Sequence, residues 1–312
     1  MNIQTAQNER TTILKIAAAR RLYSKAKQYN NFYMMLNVVL ITTLAIFSIG
    51  LNSDFFAQRF GFEKVDISIW VAVASIVVLS INKLVIGSGI DSNRETAAKI
   101  QELMDRDLFK LSWNSALAGN KPRFEEIAKN GEWYLSKYGS SALENWYALN
   151  STRISHYHQI LICQNSSLYW DVSLRKKINS FIIWGGVCIF TVALVASLYL
   201  NLPMQAVLIN LVALLGPMLD YGYTSLKENK DSIAQSGRLL ECISSTIEQA
   251  ESGASEVELQ RLTERVQDQI FSKRKSNWLI PDMFYRFFRS QDEVLMTQSS
   301  AQLEERFETL DV

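Results

Sequence analysis

Four apolar runs without charged residues stand out along the chain, and polar segments with helical periodicity separate them. A bilayer core about 30 Å thick is spanned by about 20 residues of helix, and uncharged runs approaching that length are rare in soluble cores. The pattern predicts an all-α membrane protein with four transmembrane helices in two hairpins; two buried hairpins in a soluble protein are the alternative. The runs cover residues 32–51, 67–82, 178–200 and 204–219.

The runs divide the chain into five segments. A cytoplasmic N-terminal helix precedes the first transmembrane hairpin, a cytoplasmic helical segment separates the hairpins, and cytoplasmic helices with a tail follow the second hairpin. The predicted boundaries are 1–31, 32–87, 88–177, 178–223 and 224–312.

Local patterns predict helices within the polar segments. One helix continues from the second run through Ser92, another covers residues 142–175, and a third covers residues 222–250. Ser255 followed by Glu258 is a capping-box pattern that predicts a helix start. The acidic last twenty residues predict a mobile tail. The helix after the capping box is expected to bury a stripe of Val257, Leu259, Leu262, Val266 and Ile270.

Lysine and arginine are distributed unevenly around the runs, which predicts their orientation. Cytoplasmic flanks of transmembrane helices carry an excess of these residues. Six precede the first run, only Arg59 and Lys64 lie between the first two runs, and none lies between the last two. We therefore expect both hairpins to enter from the cytoplasm, with the N-terminus, the middle segment and the C-terminus inside.

Composition agrees with a folded chain that is only partly embedded in lipid. Charged residues make up 20% of the chain and its mean hydropathy is +0.01, which is high for a soluble protein and low for one wholly in the bilayer. A formal net charge of +1 lacks the electrostatic footprint of a duplex DNA binder, so no DNA partner is expected. Three widely spaced cysteines predict neither a disulfide framework nor a zinc site.

Motifs for catalysis are weak or missing. His156, His158 and Cys163 form a conceivable metal set, but helix residues two apart point to different faces. Three Ser-x-x-Lys matches lack the companion motifs of a serine/lysine hydrolase. The phosphate-binding patterns GxxxxGK[ST] and GxGxxG are absent. We therefore expect no enzymatic activity, no metal and no cofactor.

Polar and small residues recur on single helix faces within the runs. Along the fourth run and the Asp220 that closes it, Asn210, Pro217 and Asp220 lie on one such face. These residues either pack helices together or line a water-filled path; four short spans cannot enclose a wide pore, so the second interpretation requires a homo-oligomer. The candidates for pore lining are Asn37, Ser75, Asn82, Asn179, Asn210 and Asp220.

Four cytoplasmic motifs, taken as an ordered set, resemble a known family. They are LFKLSWN at 108–114, ICQNSSLYWDVSLRK at 162–176 directly before the third run, VQDQIFSKR at 266–274 and IPDMFY at 280–285. With four spans in the expected places, they resemble the SMODS-associating four-transmembrane effector family over nearly the whole chain. Its members are regarded as pore-forming effectors of bacterial cyclic-oligonucleotide anti-phage signalling.

The resemblance implies a mechanism and partners. A nucleotidyltransferase makes a cyclic oligonucleotide during infection, the cytoplasmic helices bind it, and the spans open a pore in the lipid bilayer of the bacterial inner membrane, causing abortive infection. Phosphates attract basic side chains, and Arg153, Arg175 and Arg274 are ligand-binding candidates by charge alone. A constitutive ion channel or small transporter and a non-conducting membrane scaffold are the alternatives.

Overall fold

Helices form all the regular secondary structure that the computed structural model describes, which covers residues 2–149, 154–200, 203–280 and 300–310. The predicted all-α class is therefore confirmed. Two π-helical segments continue α2 and α5 without a break. The elements are α1 (Ile3–Ala6), α2 (Arg10–Met34), the π-helix Met35–Leu40, α3 (Ile41–Leu51), α4 (Asp54–Phe60), α5 (Ser68–Ile81), the π-helix Asn82–Ile86, α6 (Gly87–Phe109), α7 (Ser115–Ala118), α8 (Phe124–Tyr138), a 3-10 turn (Ser141–Leu143), α9 (His156–Ser166), α10 (Tyr169–Tyr199), α11 (Met204–Glu251), α12 (Glu256–Ser276) and α13 (300–308).

Contacts group the chain into two units. The hairpin unit contains Gln28–Ile90 and Lys177–Asn229, and thus the residues of both predicted hairpins. The core unit contains Met1–Lys27, Asp91–Lys176 and Lys230–Val312. Four helices, α2, α6, α10 and α11, contribute residues to both units. Each unit is therefore assembled from segments that are far apart in sequence.

The hairpin unit has the composition of a membrane bundle. Within the described residues, three helical stretches are long and apolar enough to cross a bilayer: Arg10–Leu51, Ser68–Phe109 and Arg175–Tyr199. The fourth predicted span begins α11, where the side chains of residues 206 and 210–215 lie outside the described part of the chain.

Two alanines lie at a helix contact of this unit, and several large apolar side chains lie at its surface. α3, α5 and α10 meet at a cluster of Ala45, Val71 and Ala193. Trp70 and Trp184 are more than two-thirds exposed, at 73% and 71%. Close packing through small residues, with aromatic residues outside, is typical of helices surrounded by lipid.

The core unit buries a continuous apolar core that includes Met104, Phe109 and Phe307. One helix contact is especially close, because Gly131 of α8 lies against Leu14 of α2. A Cβ atom added to Gly131 would lie 2.6 Å from the Leu14 carbonyl oxygen, so only glycine fits.

The predicted helices through Ser92 and over 222–250 are present within α6 and α11, but the predicted helix over 142–175 is wrong in its first half. α9 begins only at His156. Asn8 Oδ1 accepts a hydrogen bond from the backbone N–H of Asn145 (2.8 Å), and Gln7 Oε1 accepts one from that of Tyr147 (2.9 Å). These tertiary bonds satisfy backbone donors that a helix would otherwise satisfy, and they hold the segment in an irregular path.

The start of α12 agrees with its predicted cap. Ser255 Oγ accepts a hydrogen bond from the backbone N–H of Glu258 (3.4 Å). The stripe begins later than expected, because Val257 is 62% exposed while Leu259 and Val266 are buried.

The prediction of a mobile tail is wrong for residues 300–308, which form α13. Leu303 and Phe307 are buried in the core. The Phe307 ring stacks on His158 with a centroid separation of 4.2 Å. Two apolar anchors four residues apart attach an otherwise acidic helix to the core unit.

Candidate functional site

Two of the predicted pore-lining residues, Asn37 and Ser75, make hydrogen bonds within their own helices. Asn37 is fully buried, and its Nδ2 donates to the Tyr33 carbonyl oxygen (2.8 Å). Ser75 is buried and its hydroxyl donates to the Val71 carbonyl oxygen (2.8 Å). Both bonds lie within one helix, which is the usual way a polar side chain is accommodated in an apolar bundle. The side chains of Asn82 and Asn210 lie outside the described residues.

Asn179 makes a contact between helices. Its Oδ1 accepts a hydrogen bond from Asn229 Nδ2 (2.7 Å), which joins α10 to α11. Such an amide pair holds two membrane helices in a fixed register.

Asp220 contacts two polar side chains of other helices in the hairpin unit. The Tyr33 hydroxyl donates to Asp220 Oδ2 (2.9 Å). Lys83 Nζ lies 3.9 Å from Asp220 Oδ1. The Asp220 side chain is 27% exposed and that of Lys83 is 73% exposed. The charged pair is therefore long and open on one side, while the tyrosine contact is short. We call Tyr33, Lys83 and Asp220 the hairpin triad.

Each helix of the hairpin triad is irregular close to its contributed residue. Tyr33 lies two residues before the π-helix Met35–Leu40, and Lys83 lies within the π-helix Asn82–Ile86. Pro217 lies inside α11, three residues before Asp220. π-Helical segments occur frequently at functional sites, and an internal proline removes one helix hydrogen bond. Each of these helices therefore departs from regular α-helical hydrogen bonding within three residues of the triad.

The two candidate arginines that the structure describes each bind an oxygen atom of the protein. Arg274 Nη1 donates to Asp105 Oδ2 (2.5 Å), with only 13% of its side chain exposed. Arg175 is buried and its Nη2 donates to the Trp278 carbonyl oxygen (3.2 Å). Arg153 lies outside the described residues. In this structure the two described arginines face protein acceptors.

Arg274 belongs to a buried network that joins α6 to α12. Arg106 donates through Nε to Glu102 Oε1 and through Nη2 to Asp268 Oδ1, both at 2.5 Å. Gln267 Nε2 donates to Glu102 Oε2 (2.8 Å) and to Asp105 Oδ2 (3.1 Å). Removing one partner from such a network leaves a buried charge uncompensated.

Ionisation of this network follows from its burial. Burial raises the pKa of Glu102, and the nearby Asp105 carboxylate acts in the same direction. Burial also raises the pKa of Tyr147, so its hydroxyl keeps its proton and donates to Asp105 Oδ1 (2.6 Å). Burial alone would lower the pKa of Arg274, but Asp105 and Tyr147 outweigh that effect and raise it. The network is thus a structural core of charge pairs.

Sequence reasoning missed Tyr33 and Lys83. Tyr33 precedes the candidate Asn37 by one helical turn, and Lys83 directly follows the candidate Asn82. An ionisable residue at the edge of an apolar run is a functional candidate by default. The position of Lys83 at the end of an apolar run is visible in the sequence. That Tyr33 and Lys83 both contact Asp220 depends on the packing of three helices.

The fold and these contacts define a class: an all-α membrane protein whose hairpins carry a half-open charge pair and whose core unit is held by internal ion pairs. The description "SMODS-associating 4TM effector domain" matches residues 1–303, and the chain belongs to that family. The chain is also 27% identical over 300 residues to a probable CBASS effector molecule of Bacillus cereus (strain VD146), which covers 95% of this chain and 96% of the relative. No solved structure matches the chain. The resemblance stated from the motifs is confirmed, and the family and the relative together indicate an effector of CBASS anti-phage defence.

Proposed function

We propose that a cyclic oligonucleotide switches this effector from a silent state to one that permeabilises the bacterial inner membrane. A partner nucleotidyltransferase makes the signal, the core unit receives it, and the hairpin units of a homo-oligomer form the pore. The chain itself carries out no catalysis. Support comes from the family, from the relative described as a probable CBASS effector, and from the contacts of the hairpin unit.

The hairpin triad is the observation that carries the proposal. A charge pair with a 3.9 Å separation in an apolar unit is weakly held, and a proline and two π-helical segments weaken its helices nearby. Such a contact can be exchanged for another at small cost, as a gate requires. To move a population from 1:99 to 99:1, the signal must favour the open state by roughly 5.5 kcal/mol.

Location and assembly follow from the same proposal. Four helices cannot enclose a wide path, and the exposed apolar surface of the hairpin unit is available to lipid and to neighbouring protomers. The basic segments lie in the cytoplasm, with both termini. A membrane-impermeant maleimide should label Gln58→Cys in intact cells and spare Asn120→Cys, relative to the unsubstituted chain. Labelling in the opposite pattern contradicts this topology.

Co-expression with an active partner nucleotidyltransferase tests the function. We expect membrane potential to persist with the effector alone, to collapse with the active partner, and to persist with a catalytically dead partner. Asp220→Asn should prevent the collapse while the protein still inserts. Asp54→Asn is the matched control, because Asp54 pairs with Lys64 (2.7 Å) in the same unit but at an exposed position.

Each alternative has its own outcome in this experiment. Depolarisation that occurs equally with the active partner, with the catalytically dead partner and without a partner indicates a constitutive channel. Intact potential under every condition indicates a non-conducting scaffold. Collapse that survives Asp220→Asn removes the triad from the mechanism.

A further inference from the structure

Three basic residues of the core unit, two on α2 and one on α8, are neighbours where these two helices pack. Arg21 and Lys25 lie one helical turn apart on α2. Arg21 Nη1 donates to the backbone carbonyl oxygen of Lys129 on α8 (2.8 Å), and Lys25 Nζ lies 3.5 Å from Asn130 Oδ1. The close approach at Gly131 brings these helix faces together. We call Arg21, Lys25 and Lys129 the basic cluster.

An aromatic residue fixes the arginine of the basic cluster. The Arg21 guanidinium carbon lies 4.2 Å from the ring centroid of Trp133. Lys137 Nζ lies 5.2 Å from the same centroid. Trp133 is 43% exposed, so the assembly is open to solvent. A stacked arginine loses less conformational freedom when it binds an anion than a free one does.

Most cations around the basic cluster have acidic partners, and its own members do not. Arg10, Lys15 and Lys99 pair with Glu132, Asp107 and Glu95 at 2.5–3.2 Å. Among the described residues, no carboxylate lies within 4.0 Å of a cation of the basic cluster. Its positive charge is therefore not neutralised by a direct ion pair within the described residues.

The pKa of Lys25 is lowered by its surroundings. Burial lowers the pKa of Lys25, and Arg21 and Lys129 lower it further, while Glu126 opposes them only in part. A partly exposed cation whose charge is disfavoured by two like-charged neighbours is stabilised by a bound anion. This effect supports a ligand site that also stands on the helix contact and on the stacked arginine.

We propose that Arg21, Lys25 and Lys129 bind a phosphodiester, and that this phosphodiester belongs to the cyclic oligonucleotide of the proposed function. Arginine can contact two phosphate oxygens at once, and two lysines beside it supply further charge. A phospholipid headgroup carries the same chemistry, so the experiment must separate the two sources. The assignment to the signal rests on the proposed function.

Calorimetry on the full-length protein in a non-ionic detergent, with inorganic pyrophosphate as the probe, tests the site. Lys25→Gln and Lys129→Gln should each weaken binding by about tenfold or more, since each removes a charge-assisted hydrogen bond. Lys121→Gln is the matched control, because Lys121 also lies over a tryptophan, Trp113, at 6.0 Å, but outside the basic cluster. Its binding should change by less than about twofold. Undetectable binding to the parental chain, or equal weakening in all three variants, overturns the site.

The melting temperature and a conservative variant separate a loss of binding from a loss of folding. Removing a charge from a repelling cluster should leave the melting temperature of Lys25→Gln unchanged or raised, and Lys25→Arg should restore most of the binding. Loss of pyrophosphate binding together with a lowered melting temperature, without rescue by Lys25→Arg, contradicts a ligand role.

Two further arms identify the source of the phosphodiester. In nanodiscs, replacing phosphatidylcholine by phosphatidylglycerol should leave pyrophosphate binding unchanged; competition by phosphatidylglycerol assigns the site to lipid and overturns its assignment to the signal. In cells, Lys25→Gln should abolish depolarisation driven by the nucleotidyltransferase. If the parental chain never depolarises, the proposed function fails, whereas the calorimetry still decides the site. Depolarisation that persists in Lys25→Gln overturns the assignment of the site to the signal. It does not affect the calorimetric evidence for the anion site.

Discussion

Asp105 in the core unit and Asp220 in the hairpin unit are held in opposite ways. Asp105 is fully buried and accepts hydrogen bonds from Arg274, Gln267 and Tyr147 at 2.5, 3.1 and 2.6 Å. Asp220 is partly open, with one hydrogen bond from Tyr33 and a lysine 3.9 Å away. The first carboxylate is fixed by several contacts and the second by few.

The two carboxylates are therefore expected to differ in role: Asp105 in the stability of the core unit, and Asp220 in the proposed switching. A buried charge network with every member satisfied stabilises one arrangement of its helices, because any other arrangement leaves charges unpaired. A loosely paired charge beside irregular helix segments tolerates a second arrangement. We therefore expect substitutions in the core network to unfold the protein and substitutions in the hairpin triad to change its response.

The largest expected effect is that of Asp105→Ala. It leaves Arg274 buried without its carboxylate and should lower the free energy of unfolding by about 3–5 kcal/mol. Chemical denaturation in detergent, followed by circular dichroism, measures it. Asp107→Ala is the control, since Asp107 is 50% exposed and its pair with Lys15 contributes less than about 1 kcal/mol. Equal losses for the two variants contradict the comparison.

Gly131→Ala should have the next largest effect. The new Cβ meets backbone and side-chain atoms of Leu14 at 2.6 Å, so α8 must shift, at a cost of about 1–3 kcal/mol. Gly237→Ala, in a helix position with nothing within 4 Å, should instead stabilise by up to about 1 kcal/mol. Thermal unfolding of both variants gives the two signs, and the same sign for both refutes the close approach.

Asp220→Asn should change stability by less than about 1 kcal/mol, because the amide can keep the hydrogen bond to Tyr33 while losing only a long charge pair. The same variant should nevertheless lose the signalled depolarisation. A melting temperature lowered as much as that of Asp105→Ala would show that the hairpin triad is structural.

Glu95→Gln should have the smallest effect. Hydrogen bonds from Lys99 and Lys275, each at 3.0 Å, lower the pKa of Glu95. A carboxylate whose pKa is lower in the folded state stabilises the protein at any pH above its pKa in the unfolded chain. That stabilisation is lost as the pH falls through the folded-state pKa. Because Glu95 is 38% exposed, the contribution is below about 1 kcal/mol. The difference between parental and variant unfolding free energies should shrink between pH 6 and pH 3; a difference that grows on acidification is inconsistent with this sign.

Several elements follow directly from local sequence. Uncharged runs predict the apolar helices, because an apolar helix is stable wherever lipid or other helices cover it. Ser255 and Glu258 predict the start of α12, because capping involves residues three apart. The helix predicted over 142–175 is wrong in its first half. There the side chains of Gln7 and Asn8, about 140 residues away, accept hydrogen bonds from the backbone N–H groups of Tyr147 and Asn145.

The candidate residues show the same limit. Arg274 was chosen for its charge, yet Asp105 neutralises it across 169 residues of sequence. Arg21, Lys25, Lys129 and Trp133 form two pairs with one-turn spacing, a pattern visible in each helix separately. Nothing in either helix alone shows that the two pairs face each other.

The sequence by itself determined the helical class, the apolar spans and the family, because these depend on local hydrophobicity and on ordered motifs. The tertiary structure decided which charges are neutralised and which stay open, because ion pairs depend on distances of a few ångströms between helices remote in sequence. Asp105 and Asp220 are both single carboxylates on helices, and only the side chains packed around each one make the first fully buried among several donors and leave the second partly open.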